Sequence, residues 1–126
     1  MTAARWVAAG GVLGFLAVAA GAFGAHLFKE QLTAESLEIY QLAARYHLAH
    51  AVTLVLVGLL RTDVSNRLLD GAGWAFLLGT LVFSGSLYWL ALSGWRVLGA
   101  ITPLGGLGLL TGWALLAAQA LKARGT

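Results

Sequence analysis

The 126-residue chain is 60% hydrophobic and 10% charged, with eight Lys/Arg, five Asp/Glu and a formal net charge of +3, against roughly 45–50% apolar and about 25% charged residues in soluble domains. So few charges cannot clothe a water-soluble surface, so the apolar exterior must face lipid; disorder, a collagen-like fibre and a secreted disulfide scaffold are excluded. The chain has no Cys, which removes thiolate ligands and thiol nucleophiles, and its positive residues sit singly at the ends of apolar runs, where they report membrane orientation and not a nucleic-acid footprint.

Four apolar segments follow one another, at residues 6–28, 42–60, 72–92 and 97–121. At about 1.5 Å per residue they cover roughly 28 to 37 Å, which matches a hydrocarbon core of about 30 Å. Backbone groups inside lipid must be satisfied within each span, so the sequence predicts an all-α, single-domain bundle of four transmembrane helices. The first segment, from Trp6 to Phe28, follows Arg5. It is longer than the roughly 7–15 apolar residues of a signal peptide, and is expected to be a membrane helix.

The second helix is expected to start outside the membrane. Thr33 suits an N-cap, Glu35 falls in the first turn, and no Gly or Pro interrupts Ala34 to Val57. On it Glu38, Gln41 and Arg45 share one stripe. Tyr46, His50 and Thr53 share another, with His47 on its flank and roughly opposite the charged face. On the third helix Ser84 and Tyr88 share a face at i, i+4, with Ser86 between them. In the fourth segment Thr102-Pro103 reads as N-cap and first helical residue. The helix would then run from Pro103 to Leu121, with Trp95 to Ile101 as a hydrophobic, non-helical entry; the alternative is one helix from Val97 kinked at Pro103. The small faces Gly10-x-x-x-Gly14, Gly21-x-x-x-Ala25 and Gly108-x-x-x-Gly112 permit close helix crossings, within one bundle or between copies of the chain.

Five positive residues (Arg5, Arg61, Arg67, Lys122, Arg124) fall on one side of the membrane and Lys29 and Arg96, with Arg45 if it snorkels, on the other. The positive-inside rule places both termini in the cytoplasm. The polar residues His26, His47, His50, Ser84, Ser86, Tyr88 and Thr102 then gather in the outer half, while the inner half holds few polar side chains beyond Thr80, Thr111 and Gln119.

Polar groups at one depth in lipid need partners. Three readings compete for them: an internal hydrogen-bond network; a small-ligand site for a lipid headgroup, quinone or anion with Arg45, the histidines and the helix start at Thr102 as donors and Tyr46 beside them; and a metal site on His26, His47 and His50. The metal reading lacks any carboxylate or thiolate ligand. Hydrolytic catalysis lacks an acid within a span to orient a histidine, and proton pumping lacks titratable groups at successive depths. The chain is therefore read as a non-enzymatic structural or accessory membrane subunit without a cofactor, and alternatively as a small-ligand binding or transport protein. Its expected partners are membrane lipid, further copies of itself and another protein, and no nucleic acid. His26, His50, Tyr88 and Thr102 are expected to converge in one cluster, with Arg45 at its rim.

Four motifs stand on separate helices: Gly21-Ala22-Phe23-Gly24-Ala25-His26, Tyr46-His47-x-x-His50, Gly85-Ser86-Leu87-Tyr88-x-Leu90-Ala91-Leu92 and Thr102-Pro103-x-Gly105-Gly106. Together they resemble the YgdD-like family of small bacterial inner-membrane proteins, the "domain of unknown function 423" group, over almost the whole chain. The resemblance implies four transmembrane helices in a bacterial plasma membrane and no established activity. His26, His50, Tyr88 and Thr102-Pro103 fall on its motif positions; His47 does not.

Overall fold

Each apolar run forms one helix, and side-chain caps start three of the four. A computed structural model describes residues 1–61 and 66–125. Helix α1 spans Ala3–Phe28, α2 Ala34–Leu60, α3 Arg67–Ser93 and α4 Leu98–Arg124. Thr2, Thr33 and Asn66 cap α1, α2 and α3, each accepting from the backbone N–H three residues on, at 3.2, 3.1 and 3.1 Å. The Thr33 cap starts α2 two turns before its apolar run, as its uninterrupted sequence predicts. Helix α3 ends where Gly94 adopts φ 71°, a left-handed conformation that favours glycine.

Helix α4 departs from the expected N-cap. It begins at Leu98, five residues before Pro103, and runs through the proline to Arg124. The entry is hydrogen-bonded at i to i+3, from Leu98 N to Trp95 O and from Gly99 N to Arg96 O, so the non-helical entry is only Trp95 to Val97 and Leu98 to Ile101 are already helical. Thr102 is no cap: its hydroxyl donates back to the Leu98 carbonyl at 3.2 Å, a side-chain bond beside the position where Pro103 lacks an N–H.

Helix α1 holds a second departure. Residues Ala3–Val18 are α-helical, Ala19–Gly24 form a π-helical stretch and Ala25–Phe28 return to α. The Ala25 N–H reaches back five residues to Ala20 O. The Tyr40 hydroxyl of α2 donates to that same carbonyl at 2.7 Å, and a Cβ on Gly24 would overlap the Tyr40 hydroxyl. The widened turn receives a side chain from the neighbouring helix, the setting in which π-bulges persist.

Successive helices pack side by side, α1 on α2, α2 on α3 and, most extensively, α3 on α4. Trp6, Leu13, Leu54, Val57, Phe76 and Leu109 supply the large side chains of the core. Glycines set the spacing. A Cβ on Gly10 would stand 2.8 Å from the Ala51 carbonyl, one on Gly58 2.8 Å from the Ala3 carbonyl, and one on Gly79 2.8 Å from the Leu109 nitrogen; one on Gly105 would overlap the Phe83 backbone. Of the small faces named from the sequence, Gly10 and Gly14 meet α2 at Ala51, and Gly108 and Gly112 meet α3 at Gly79 and Phe76, inside the bundle.

Gly105→Ala is expected to lower stability by about 1–3 kcal/mol, the usual cost of overpacking, because the obstacle is main chain and cannot rotate away. Gly99→Ala, at a position with nothing within 4 Å, should be neutral. Unfolding of both variants in detergent, followed by circular dichroism, checks the contrast.

Candidate functional site

The buried polar side chains form a seam of separate ties between neighbouring helices. His50, 6% exposed, has both ring nitrogens engaged: Nδ1 lies 2.7 Å from the Tyr46 carbonyl and Nε2 accepts from the Trp113 indole N–H at 3.1 Å. An indole nitrogen only donates. Nε2 must therefore be the bare nitrogen and Nδ1 carries the proton, so His50 is held as one neutral tautomer linking α2 to α4. Tyr46 contributes its carbonyl, while its exposed ring stacks on His50 and lies 4.8 Å from Phe83.

His47 turns toward α3, where its Nδ1 stands 3.0 Å from the Tyr88 hydroxyl; the Tyr88 ring in turn packs on Tyr40 at 5.1 Å. Ser84 and Ser86, two residues apart on α3, point to opposite neighbours. The Ser84 hydroxyl donates to the Ala43 carbonyl of α2 at 2.9 Å, and Ser86 meets the Thr102 hydroxyl of α4 at 2.7 Å. The Ser86 oxygen also lies 3.0 Å from the Phe83 carbonyl, but each hydroxyl has one proton: with Thr102 donating to Leu98, Ser86 donates to Thr102, and the chain runs from Ser86 through Thr102 to the Leu98 carbonyl.

The expected single cluster is not assembled. His26 is exposed near the end of α1 and joins none of these bonds. His50, Tyr88 and Thr102 are held in three different ties: His50 with Trp113, Tyr88 with His47, and Thr102 with Ser86. Arg45 is exposed with Glu38 and Gln41 on the opposite face of α2, beside a crevice whose walls include Gly21 and Ala44. The three-histidine metal site is likewise not assembled: among the described residues no group of three metal-ligating side chains comes together. The physical reason is angular. Residues 47 and 50 lie about 60° apart around the helix, on one broad face but far enough apart for His47 to meet α3 and His50 to meet α4.

His47 and Thr80 each stand thirteen residues from both ends of α2 and α3, at mid-helix, and His50 lies beyond them toward the end that carries the chain termini. That end has its own tie. The fully buried Trp6 donates its indole N–H to Asp70 Oδ1 at 2.9 Å, and Arg61 grips the same carboxylate through Nε at 2.8 Å and a second nitrogen at 3.1 Å. Asp70 also sits in the first turn of α3, where the helix dipole favours a negative charge. Composition hides these contacts because Trp counts as apolar, and Asp70 falls just before the predicted span. Tyr40 is hidden for a different reason: its acceptor is exposed only by the π-helical turn.

Comparison with known proteins places the chain. Residues 20–106 match the family described as "Protein of unknown function (DUF423)". The chain belongs to the DUF423 family. A UPF0382 membrane protein of Staphylococcus epidermidis is 38% identical over 92% of this chain and 94% of its own length, and the UPF0382 membrane protein YwdK of Bacillus subtilis is 36% identical over 90% and 93%. No solved structure matches. This DUF423 protein, with four helices long and apolar enough to cross a bilayer, is a multi-pass membrane protein of an uncharacterised family.

His50→Leu is expected to cost about 1–3 kcal/mol, the penalty for a buried unpaired donor at Trp113, and His50→Gln, which retains an acceptor, less. A double-mutant cycle of His50→Leu with Trp113→Phe, followed by unfolding in detergent, should return a coupling of about 0.5–1.5 kcal/mol.

Proposed function

We propose that this DUF423 protein is a non-catalytic structural or accessory subunit of the bacterial plasma membrane, with both termini in the cytoplasm. The observation that carries this reading is the His50 tie. His50, one of the three histidines weighed as ligands, has both nitrogens committed to Tyr46 and Trp113, so it holds helices together and offers neither a free base nor a ligand atom. Ser84, Ser86, Thr102 and Tyr40 are committed in the same way.

The surface supports a partner role. Large apolar side chains such as Phe15 on α1, 76% exposed, and Leu107 on α4, 61% exposed, cover the outer faces of the two flanking helices, which lipid, a second copy or another membrane protein would cover. The orientation rests on Arg5, Arg61, Arg67, Lys122 and Arg124 lying at one end.

A green fluorescent protein fused to the C-terminus should fluoresce and an alkaline phosphatase fusion should be inactive; the reverse pattern would turn the molecule over. Photocrosslinking residues placed at Phe15 and Leu107 in living cells should give discrete protein adducts. Adducts with lipid alone would contradict the subunit reading.

A further inference from the structure

We propose that the crevice between α1 and α3 binds an uncharged, bilayer-soluble ring that carries an oxygen, of the quinone, quinol or phenol class, hydrogen-bonded by His47 and Thr80. The proposal goes beyond the subunit reading and does not depend on it. The crevice has a volume of about 150 Å³; Leu13 and Leu16 of α1 and Leu81 and Gly85 of α3 wall it, and His47 and Thr80 line it.

Two buried polar atoms in this crevice lack hydrogen-bond partners: His47 Nε2 and Thr80 Oγ1, on residues 8% and 2% exposed. The Leu13 backbone interacts with the His47 ring at a geometry that leaves Nε2 short of a full hydrogen bond, so an oxygen bound in the crevice would replace that weak contact. Thr80 is unlike the helical threonines around it. Thr53 and Thr111 donate to the carbonyl four residues back, at 2.9 and 2.8 Å, which is the usual way a threonine satisfies itself in a helix. Thr80 leaves its hydroxyl free at the same helical level as His47.

The chemistry of the lining selects the ligand. No charged side chain lines the crevice, so nothing there balances a phosphate, a carboxylate or a metal ion. An apolar cavity of roughly 150 Å³ accepts one benzene ring, and two polar groups on such a wall ask for a ring that bears oxygen. The mouth opens between the exposed Leu16 and Leu81, at mid-helix, where lipid is the surrounding medium, so a tail on the ring would stay in the bilayer. The His47–Tyr88 pair suits both oxygen types. When Tyr88 donates to Nδ1, Nε2 carries a proton for a carbonyl; in the other tautomer Nε2 accepts from a hydroxyl.

The test uses the full chain in lipid nanodiscs with ¹⁵N-labelled histidine, the His47 signal being assigned with His47→Gln. Three probes are titrated, each a single unsubstituted ring of the size the crevice accepts: 1,4-benzoquinone, hydroquinone and benzene. The quinone, the hydroquinone or both should shift the His47 signal saturably. A response to the quinone alone assigns the carbonyl class, and one to the hydroquinone alone the phenolic class. Thr80→Val should weaken that binding about tenfold, the worth of one hydrogen bond. Gly85→Leu should abolish it by filling the mouth, and because a Cβ there meets nothing within 4 Å the His50 signal and thermal unfolding should not change. An equal shift with benzene, no shift with any ring, or undiminished binding to Gly85→Leu would overturn the proposal.

Discussion

A polar side chain inside hydrocarbon cannot fall back on water, and this constraint shapes the bundle. Each unpaired group there costs several kcal/mol, so a chain that carries histidines, serines, threonines and tyrosines in its spans folds only where most of them meet partners. The partners come from neighbouring helices. His50 joins α2 to α4, His47 and Ser84 join α2 to α3, Ser86 joins α3 to α4, and Tyr40 joins α2 to α1. The hydrophobic effect does not drive helices together inside lipid, so these bonds and van der Waals packing must.

Packing and polar ties depend on each other. A serine hydroxyl is short, and Ser84 reaches the Ala43 carbonyl only because the helices lie close. The glycines supply comparable closeness elsewhere: Gly79 and Gly105 bring α3 against α4, where Ser86 and Thr102 meet, and Gly10 and Gly58 bring α1 against α2. Adding a methyl group at a crossing would therefore cost twice, once in overlap and again in lengthened hydrogen bonds. The Trp6–Asp70–Arg61 group closes the end that carries the termini, joining α1 to α3 and to the residue after α2.

Much of the fold was legible because membrane spans are written in composition and length. The four runs, the Thr33 cap and the small-residue faces need no knowledge of tertiary contacts. The α4 start was not legible, since Thr102-Pro103 has the same local pattern whether it caps a helix or sits within one; what decides is the hydroxyl chain through Ser86. For the candidate site, sequence reasoning found most of the residues and grouped them wrongly. Periodicity places His47 and His50 on one broad face, but only the positions of α3 and α4 show that this face is divided between two neighbours. Thr80 was visible only as an isolated polar residue, because a missing i to i−4 bond cannot be read from a sequence.

The seam fixes its side chains in defined bonding states, and His50 shows this most sharply. Solid-state ¹⁵N NMR of labelled protein in bilayers reports directly which imidazole nitrogen carries the proton. His50 should show a protonated Nδ1 and a bare Nε2 correlated through space with the Trp113 indole N–H. A protonated Nε2 on His50, or no correlation to Trp113, would contradict this bonding state.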